Sequence, residues 1–435
     1  MKRLFLIAFL ILALAIPCQA ARLLTSGFEI NHNGSGASMG ADGVEFDISY
    51  WETADDPGNT TQTVTKRSGN RALKFKNTTG NWGGGGWITT LPTMGAGQTY
   101  FSRFYIRIHT RTTTGGTDPK VGLWGSSVVA GLTGASVMLN TDGVEVSIDD
   151  TDCHLALRNF RDDVQIGASS AALDLDTWYG VEFSYAYDTG YSTLKYWKDG
   201  FYGTTLTTVV SNGAALANLA IASCAIGLGL SDTTTGEGYC DDWAINDNTG
   251  SYQNSWPGEG KVIMLQPNAT GDVTNWSGTY ASVNENPPDD ASTIIQSKTL
   301  NQESLFRFGA SGIGATDIVN VVQVNARYAG AGASANSTFK LEIEKVTGGT
   351  VQQSAAITPA NTTWITNGVG LASIPLLTAH VDPDGNAWTK ATLDTLQAGV
   401  KCTTSSTNYA NVSTLWVAVE YVPAVRSTVR TPRMY

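Results

Sequence analysis

The feature of this 435-residue sequence that most constrains its fold is a series of short segments in which apolar and polar residues alternate, each followed by turn-forming residues. One such segment covers residues 338–346. Successive side chains of a β-strand point to opposite faces, so Phe339, Leu341 and Ile343 would share the buried face of a strand. Many such strands separated by turns predict an all-β fold, with two jelly-roll-like β-sandwich domains in tandem.

The composition agrees with this interpretation and argues against one class of partner. The chain has 47 glycines, 42% hydrophobic residues and only 15% charged residues, which suits short strands, tight turns and packed cores. Its formal net charge is -11, and its one evident basic group is Arg426, Arg430 and Arg433. Nucleic-acid binding depends on clustered Lys and Arg side chains that neutralise phosphates. We therefore expect no nucleic-acid partner.

Residues 1–20 have the layout of an export signal. Lys2 and Arg3 precede an apolar run over residues 4–16. Pro17 follows the run, and residues 18–20 (CQA) follow Pro17. A transmembrane helix needs ~20 apolar residues, so this run is short for a membrane span. No later segment of the sequence is a better candidate for a transmembrane helix. We predict a signal peptide that is cleaved after Ala20, a secreted, extracellular protein and no transmembrane segment.

Cys18 leaves a second interpretation open, in which the cysteine is lipidated and becomes the mature N-terminus. Lipoprotein signals place a small residue before this cysteine, whereas this chain has Pro17 there. The sequence therefore favours the soluble form. Mass spectrometry of the mature N-terminus distinguishes the two.

Residues 21–256 carry motifs of a known fold. Residues 176–185 (DTWYGVEFSY) and 194–200 (LKYWKDG) form a predicted hairpin, and residues 225–229 (AIGLG) and 240–245 (CDDWAI) form a predicted closing pair of strands. This pattern resembles laminin-G-like and concanavalin-like lectin domains. The resemblance implies a jelly roll over residues 21–256 and a role in recognising glycans or partner proteins. The alternation of the strands predicts Trp178 and Trp243 in its core. The fold alone does not fix the ligand.

Residues 254–260 (NSWPGEG) interrupt the strand pattern, and we place a domain boundary after residue 256. Beyond it, residues 260–267 (GKVIMLQP), 284–290 (NENPPDD), 384–389 (DGNAWT) and 416–423 (WVAVEYVP) resemble a domain that recurs in phage tail and virion structural proteins. The resemblance implies a second β-sandwich over residues 257–425, followed by a C-terminal tail over residues 426–435.

Two kinds of ligand site are predicted in the first domain. Trp82 and Trp87 flank a run of glycines, and exposed aromatic rings there would bind the apolar faces of sugars. The carboxylates of Asp241, Asp242 and Asp247 would bind calcium, which prefers several oxygen ligands. The alternatives are a flexible turn at the glycine run and solvated acidic turns at the aspartates.

After signal removal the chain keeps Cys153, Cys224, Cys240 and Cys402. In an oxidising compartment an even number of cysteines permits disulfides. We predict a Cys224–Cys240 bond, because the two residues flank a turn-rich loop. The alternative is that all four cysteines are buried thiols.

The sequence offers little for catalysis. The nearest match to the three-acid strand of laminarinase-like glycoside hydrolases is Glu45 and Asp47, with Tyr50 where the third acid belongs. The four histidines form no HExxH motif. We therefore predict an exported, non-catalytic binding or adhesion protein that recognises surface glycans or proteins. The alternatives are a self-assembling structural component of a phage particle or surface layer, which would make the protein virion-associated, and, more weakly, a laminarinase-like hydrolase.

Overall fold

The computed structural model describes residues 22–29, 48–50, 60–77, 86–112, 120–125, 143–148, 153–159, 164–200, 207–211, 216–227, 235–286, 288–290, 292–366 and 377–424. The predicted signal peptide with Cys18, the Glu45–Asp47 pair, Trp82 and the C-terminal tail lie outside these residues. The described chain is nearly all β, as predicted. In the described residues, no helix has the length and apolar character needed to cross a membrane.

The described residues of the first half of the chain form fifteen strands. They are β1 (Arg22–Ser26), β2 (Ile48–Tyr50), β3 (Thr60–Gln62), β4 (Ala72–Asn77), β5 (Gly86–Thr90), β6 (Thr99–Thr112), β7 (Lys120–Gly125), β8 (Gly143–Ile148), β9 (Leu155–Asn159), β10 (Val164–Ile166), β11 (Trp178–Ala186), β12 (Ser192–Lys198), β13 (Thr207–Ser211), β14 (Ser223–Gly227) and β15 (Thr235–Asp247). Sheet 1 has the order β13-β12-β11-β6-β15-β4-β3, with β1 paired to β15, and sheet 2 has the order β10-β9-β8-β7-β14-β5-β2. All the pairings are antiparallel.

Sheets 1 and 2 enclose one apolar core, and we call this unit the first sandwich. The predicted hairpin of β11 and β12 is present, with Phe183 opposite Leu194 and both side chains fully buried. Trp243 lies in this core, as predicted, but Trp178 is only half-buried. The reason is that successive side chains of a strand point to opposite faces. Tyr179, Val181 and Phe183 take the inward positions of β11, so Trp178 points to the other face.

In the part of the second half that the structure describes, there are eleven strands and little helix. They are β16 (Lys261–Leu265), β17 (Ala269–Thr274), β18 (Ile295–Ser297), β19 (Glu303–Arg307), β20 (Ile318–Gly330), β21 (Thr338–Glu344), β22 (Val351–Gln353), β23 (Ile365–Thr366), β24 (Leu377–Ala379), β25 (Gln397–Thr404) and β26 (Ala410–Val422), with a 3-10 turn at Tyr280–Ser282 and helix α1 at Lys390–Asp394. Sheet 3 has the order β16-β26-β20-β23, with β18 on β26 and β24 on β20, and sheet 4 has the order β17-β19-β25-β21-β22.

Sheets 3 and 4 enclose a separate apolar core, and we call this unit the second sandwich. Phe339, Leu341 and Ile343 lie in that core with no exposed surface, which confirms the face that the alternation predicts. Ring contacts order the core: Phe339 packs edge-on against Trp276 at 6.0 Å and against Tyr328 at 5.4 Å. In the described residues, no sheet combines strands from both halves of the chain.

Candidate functional site at the junction of the sandwiches

The outer face of sheet 1 carries large polar side chains that are buried. On β6, Phe104 and Ile106 point into the first core, so Arg103 and Tyr105, which alternate with them, point outward. Both outward side chains have no exposed surface. On a solvated sheet face a guanidinium group would stay in water. The outer face of sheet 1 is instead covered by residues 248–260, which we call the linker, and by the second sandwich.

A carboxylate of the second sandwich is bound by two arginines of the first. Glu420 on β26 pairs with Arg22 on β1 and, at 2.5 Å, with Arg103. All three side chains have no exposed surface. Arg103 also donates to the carbonyl oxygens of Asp242, at 3.0 Å, and of Gly258, at 3.2 Å. The ion pairs therefore join β1 and β6 of the first sandwich to β26 of the second.

A second ionic group lies beside the first. Arg67 pairs with Asp242 at 2.6 Å and with Asp199 at 2.8 Å, and its guanidinium lies 3.3 Å from the ring centre of Tyr105. Asp242 also accepts a hydrogen bond from the backbone N–H of Val262 at 2.6 Å, so the group crosses into the second sandwich. The register of β15 shifts between Asp241 and Ala244, and Asp242 has a φ of 53°. This bulge turns Asp242 toward the junction.

These contacts replace the calcium site predicted at Asp241, Asp242 and Asp247. Asp241 accepts hydrogen bonds from the backbone N–H groups of Arg67 and Ser68, at 2.8 and 3.1 Å, and Asp242 binds the Arg67 side chain. Burial, and then the charge of Asp242, raise the pKa of Asp241 well above its usual value. Asp247 accepts hydrogen bonds from the N–H and the hydroxyl of Thr249. In the described residues, no three acidic, histidine or cysteine side chains form a group that could hold a metal ion.

The predicted disulfide is also absent. Cys224 lies on β14 of sheet 2 and Cys240 on β15 of sheet 1, and both are buried in the first core without a bond between them. The sulfur of Cys224 packs 4.0 Å from the hydroxyl of Ser102. Cys153 and Cys402 are buried thiols as well, so the alternative in which all four cysteines are buried thiols describes this structure.

An open groove of about 350 Å³ lies at the junction. It is lined by one aromatic ring, four polar side chains and three small or apolar residues: Trp256; Gln253, Ser255, Glu259 and Asn320; Pro257, Gly258 and Val422. Six of these belong to the linker, and Asn320 and Val422 belong to β20 and β26 of the second sandwich. The groove therefore exists because the linker lies against the second sandwich.

The linker side of the groove is fixed to sheet 1. The ring of Trp256 packs edge-on against Phe101, with a centroid distance of 5.1 Å, and the ammonium nitrogen of Lys195 lies 3.5 Å from its ring centre. The N–H of Gly258 donates to Glu182 Oε1 at 2.6 Å. Burial raises the pKa of Glu182. Trp256 and Gly258 are thus held by side chains of β6, β11 and β12.

Gln253 and Asn320, on the two walls of the groove, are also held by other side chains. Arg22, which pairs with Glu420, also donates from Nη2 to the side-chain oxygen of Gln253 at 2.9 Å. On the opposite wall, the ring nitrogen Nδ1 of His380 lies 3.3 Å from the carbonyl oxygen of Asn320. Burial, and then the charge of Arg22, lower the pKa of His380 to about 4, so its ring is neutral at neutral pH. The groove walls are therefore connected to the buried ion pairs.

The predicted sugar platforms stay predictions. Trp82 lies outside the described residues, and for Trp87 the structure describes only the backbone, in β5. The groove was not among the predicted sites. The available signal was a tryptophan at residue 256 in a stretch rich in Pro and Gly, which indicated only a domain boundary.

No family model and no curated protein matches the chain. Among solved structures, it is similar to the cellulose-induced protein Cip1, at 14% identity and a TM-score of 0.33 over 46% of this chain and 87% of that chain. It is also similar to basic winged bean lectin, solved with Tn-antigen, at 11% identity and a TM-score of 0.32 over 52% of this chain and 98% of that chain. A third structure is domain 4 of AbnA, an extracellular arabinanase from Geobacillus stearothermophilus, in complex with arabinotriose. The values are 14% identity and a TM-score of 0.33, over 54% of this chain and 95% of that chain. At these identities and TM-scores the likeness carries no conclusion about ligand or activity.

Proposed function

We propose that this chain is an exported, non-catalytic carbohydrate-binding protein and that its glycan binds in the junction groove. The observation that carries this proposal is the lining of the groove, in which one tryptophan occurs together with four polar residues. A pyranose ring has an apolar C–H face and a rim of hydroxyls, so it requires an aromatic surface and hydrogen-bonding groups together. A groove of about 350 Å³ lies within the range of small-ligand sites.

The rigidity of the groove supports the same function. Trp256 is packed by Phe101 and Lys195, and Gln253 is held by Arg22. Side chains that are already ordered lose little conformational entropy when a ligand binds. The site is therefore built for binding without rearrangement, which suits a recognition module.

Replacing Trp256 by alanine tests the proposal. A glycan array on the full chain first identifies the strongest ligand, and titration calorimetry then measures its dissociation constant. We expect Trp256→Ala to weaken binding about tenfold or more, because the aromatic face is lost while the polar residues remain. Tyr409→Ala is the matched control, since Tyr409 is a partly exposed aromatic residue of the second sandwich that lies outside the groove lining.

The result that would overturn the proposal is an array without hits, or equal loss of binding in both variants. A separate assay tests the proposal that the protein is non-catalytic. Incubation of the bound glycan with the protein should release no reducing ends, and release that Trp256→Ala abolishes would instead support the hydrolase alternative.

Calcium is also proposed to bind at Asp149, Asp150 and Asp152, which lie outside the described residues. Three carboxylates so close in the sequence offer the oxygen ligands that calcium requires. A thermal melt with and without chelator tests it. An unchanged midpoint removes calcium from the proposed function.

Two sheet edges favour the alternative function, a structural component of a phage particle or surface assembly. β10 ends sheet 2 and β22 ends sheet 4, and each presents an exposed valine, Val164 at 58% and Val351 at 37%. Exposed edge strands with apolar side chains can pair with a second copy. Light scattering without sugar decides: self-association would favour assembly, and a monomer would favour recognition of a separate ligand.

A further inference from the structure

We infer that the ligand of the groove is an oligosaccharide and that Tyr252 is the platform for a second sugar residue beyond the one that binds Trp256. The inference rests on the proposed function. It concerns a residue outside the groove lining, and it sets the minimum length of the glycan.

The ring of Tyr252 is partly exposed and has a stacking partner on one face. Its side chain is 46% exposed, although it is a large aromatic residue in the linker. It stacks on the ring of His380 with a centroid distance of 5.4 Å and an interplanar angle of 9°. One face of the tyrosine is therefore covered by the imidazole. The remaining surface is open to a ligand, and the stacking orients the ring before the ligand arrives.

The position of Tyr252 continues the groove. It precedes Gln253, which lines the groove, in the chain. Its stacking partner, His380, contacts the carbonyl oxygen of Asn320, which lines the opposite wall. Tyr252 is thus linked to one wall by the chain, through Gln253, and to the other by its stacking on His380, which contacts Asn320.

Trp256 is held in the same way. The Lys195 ammonium covers one face of its ring, and Lys195 does not belong to the groove lining, so the groove lies on another side of the ring. Phe101 packs edge-on against it. The linker therefore carries two aromatic rings, each fixed by a side chain of a sandwich: Trp256 in the groove lining and Tyr252 next to the lining residue Gln253 in the chain. Two such rings accommodate neighbouring sugar residues of one chain, whereas a monosaccharide would use only one of them.

The test is a titration series with neutral gluco-, xylo- and manno-oligosaccharides, from monosaccharide to hexasaccharide, on the full chain and three variants. For the unchanged protein, affinity for the bound series should rise about tenfold between the monosaccharide and the di- or trisaccharide. Tyr252→Ala should keep the monosaccharide affinity and lose this rise. Tyr252→Phe should keep the rise, because the ring is retained. Tyr191→Ala, which removes a similarly exposed tyrosine from the β11–β12 turn, should behave like the unchanged protein.

The outcomes separate the two proposals. If neither the glycan array nor the oligosaccharides show binding, the proposed function fails and the inference fails with it. If a glycan binds and Trp256→Ala weakens it, but Tyr252→Ala keeps the full rise with chain length, the function stands and the inference is wrong. A rise that Tyr252→Ala removes and Tyr252→Phe restores supports both.

Discussion

Replacement of Glu420 by glutamine is expected to lower the free energy of unfolding by about 3 to 5 kcal/mol. Glu420 is the carboxylate to which both Arg22 and Arg103 bind, and all three side chains are fully buried. Glutamine keeps the shape of the side chain but removes its charge. The two guanidinium groups would then stay buried and close together without the anion that compensates them, which is the costly way to break a buried ion pair.

Chemical denaturation followed by tryptophan fluorescence measures this loss. Asp174→Asn is the control, because it removes the exposed ion pair between Asp174 and Lys198. Exposed pairs contribute little to stability, so the control should unfold at the parental midpoint. A loss below about 1 kcal/mol in Glu420→Gln would show that the buried pairs do not stabilise the junction.

Glu420→Gln should affect the groove as well as the stability of the protein. Arg22 binds Glu420 with one guanidinium nitrogen and Gln253 with another. Val422, which lines the groove, follows Glu420 by two residues on β26. A change in the ion pairs therefore reaches both walls of the site. The buried charges have a role that a hydrophobic contact would not fill, since they orient the linker against both sandwiches.

The elements that the sequence predicted best are those set by local periodicity. Phe339, Leu341 and Ile343 lie in the second core because side chains two residues apart share a face. The β11–β12 hairpin forms where a strand, a polar turn and another strand follow one another. Patterns of this kind need only neighbouring residues, and they gave the all-β fold correctly.

The junction depends on residues that are far apart in the chain. Arg22 and Glu420 are separated by 398 positions, and nothing near either residue indicates its partner. Adjacent aspartates resemble calcium ligands, whereas in the structure the bulge in β15 directs Asp242 to Arg67. Whether an aspartate is a metal ligand or one half of a buried ion pair depends on the tertiary structure around it. Sequence patterns alone therefore identified the acidic residues but not their role.

A second buried carboxyl group predicts how stability changes with pH. Glu342 on β21 points away from the second core, yet its side chain has no exposed surface. Burial, and then the charge of Glu303, raise the pKa of Glu342 from 4.5 to about 7. Lys401 pairs with Glu303 at 3.2 Å and lies 3.8 Å from Glu342, so one cation serves two carboxyl groups. At mildly acidic pH Glu342 is therefore protonated in the folded protein.

The direction in which stability changes with pH follows from comparison with the unfolded chain, where Glu342 has a pKa near 4.5. Between pH 4.5 and about 7 the folded state holds a proton that the unfolded state has released. The stabilisation from this proton is complete below pH 4.5 and is lost as the pH rises to about 7. For this group alone, the unfolding free energy should fall by up to about 3 kcal/mol over that range.

Glu342→Gln should remove this dependence. Glutamine cannot ionise, its carbonyl still accepts the hydrogen bond from Gln353, and its amide can donate to Glu303 as the protonated acid does. Calorimetric melts between about pH 5 and 8 should show that the variant matches the parent at the acidic end and exceeds it by up to about 3 kcal/mol at the alkaline end. Asp174→Asn should keep the parental slope, because its exposed carboxyl group is ionised throughout this range. If Glu342→Gln kept that slope as well, the proton would belong to another group, and burial of Glu342 under Lys401 would not be the cause of the pH dependence.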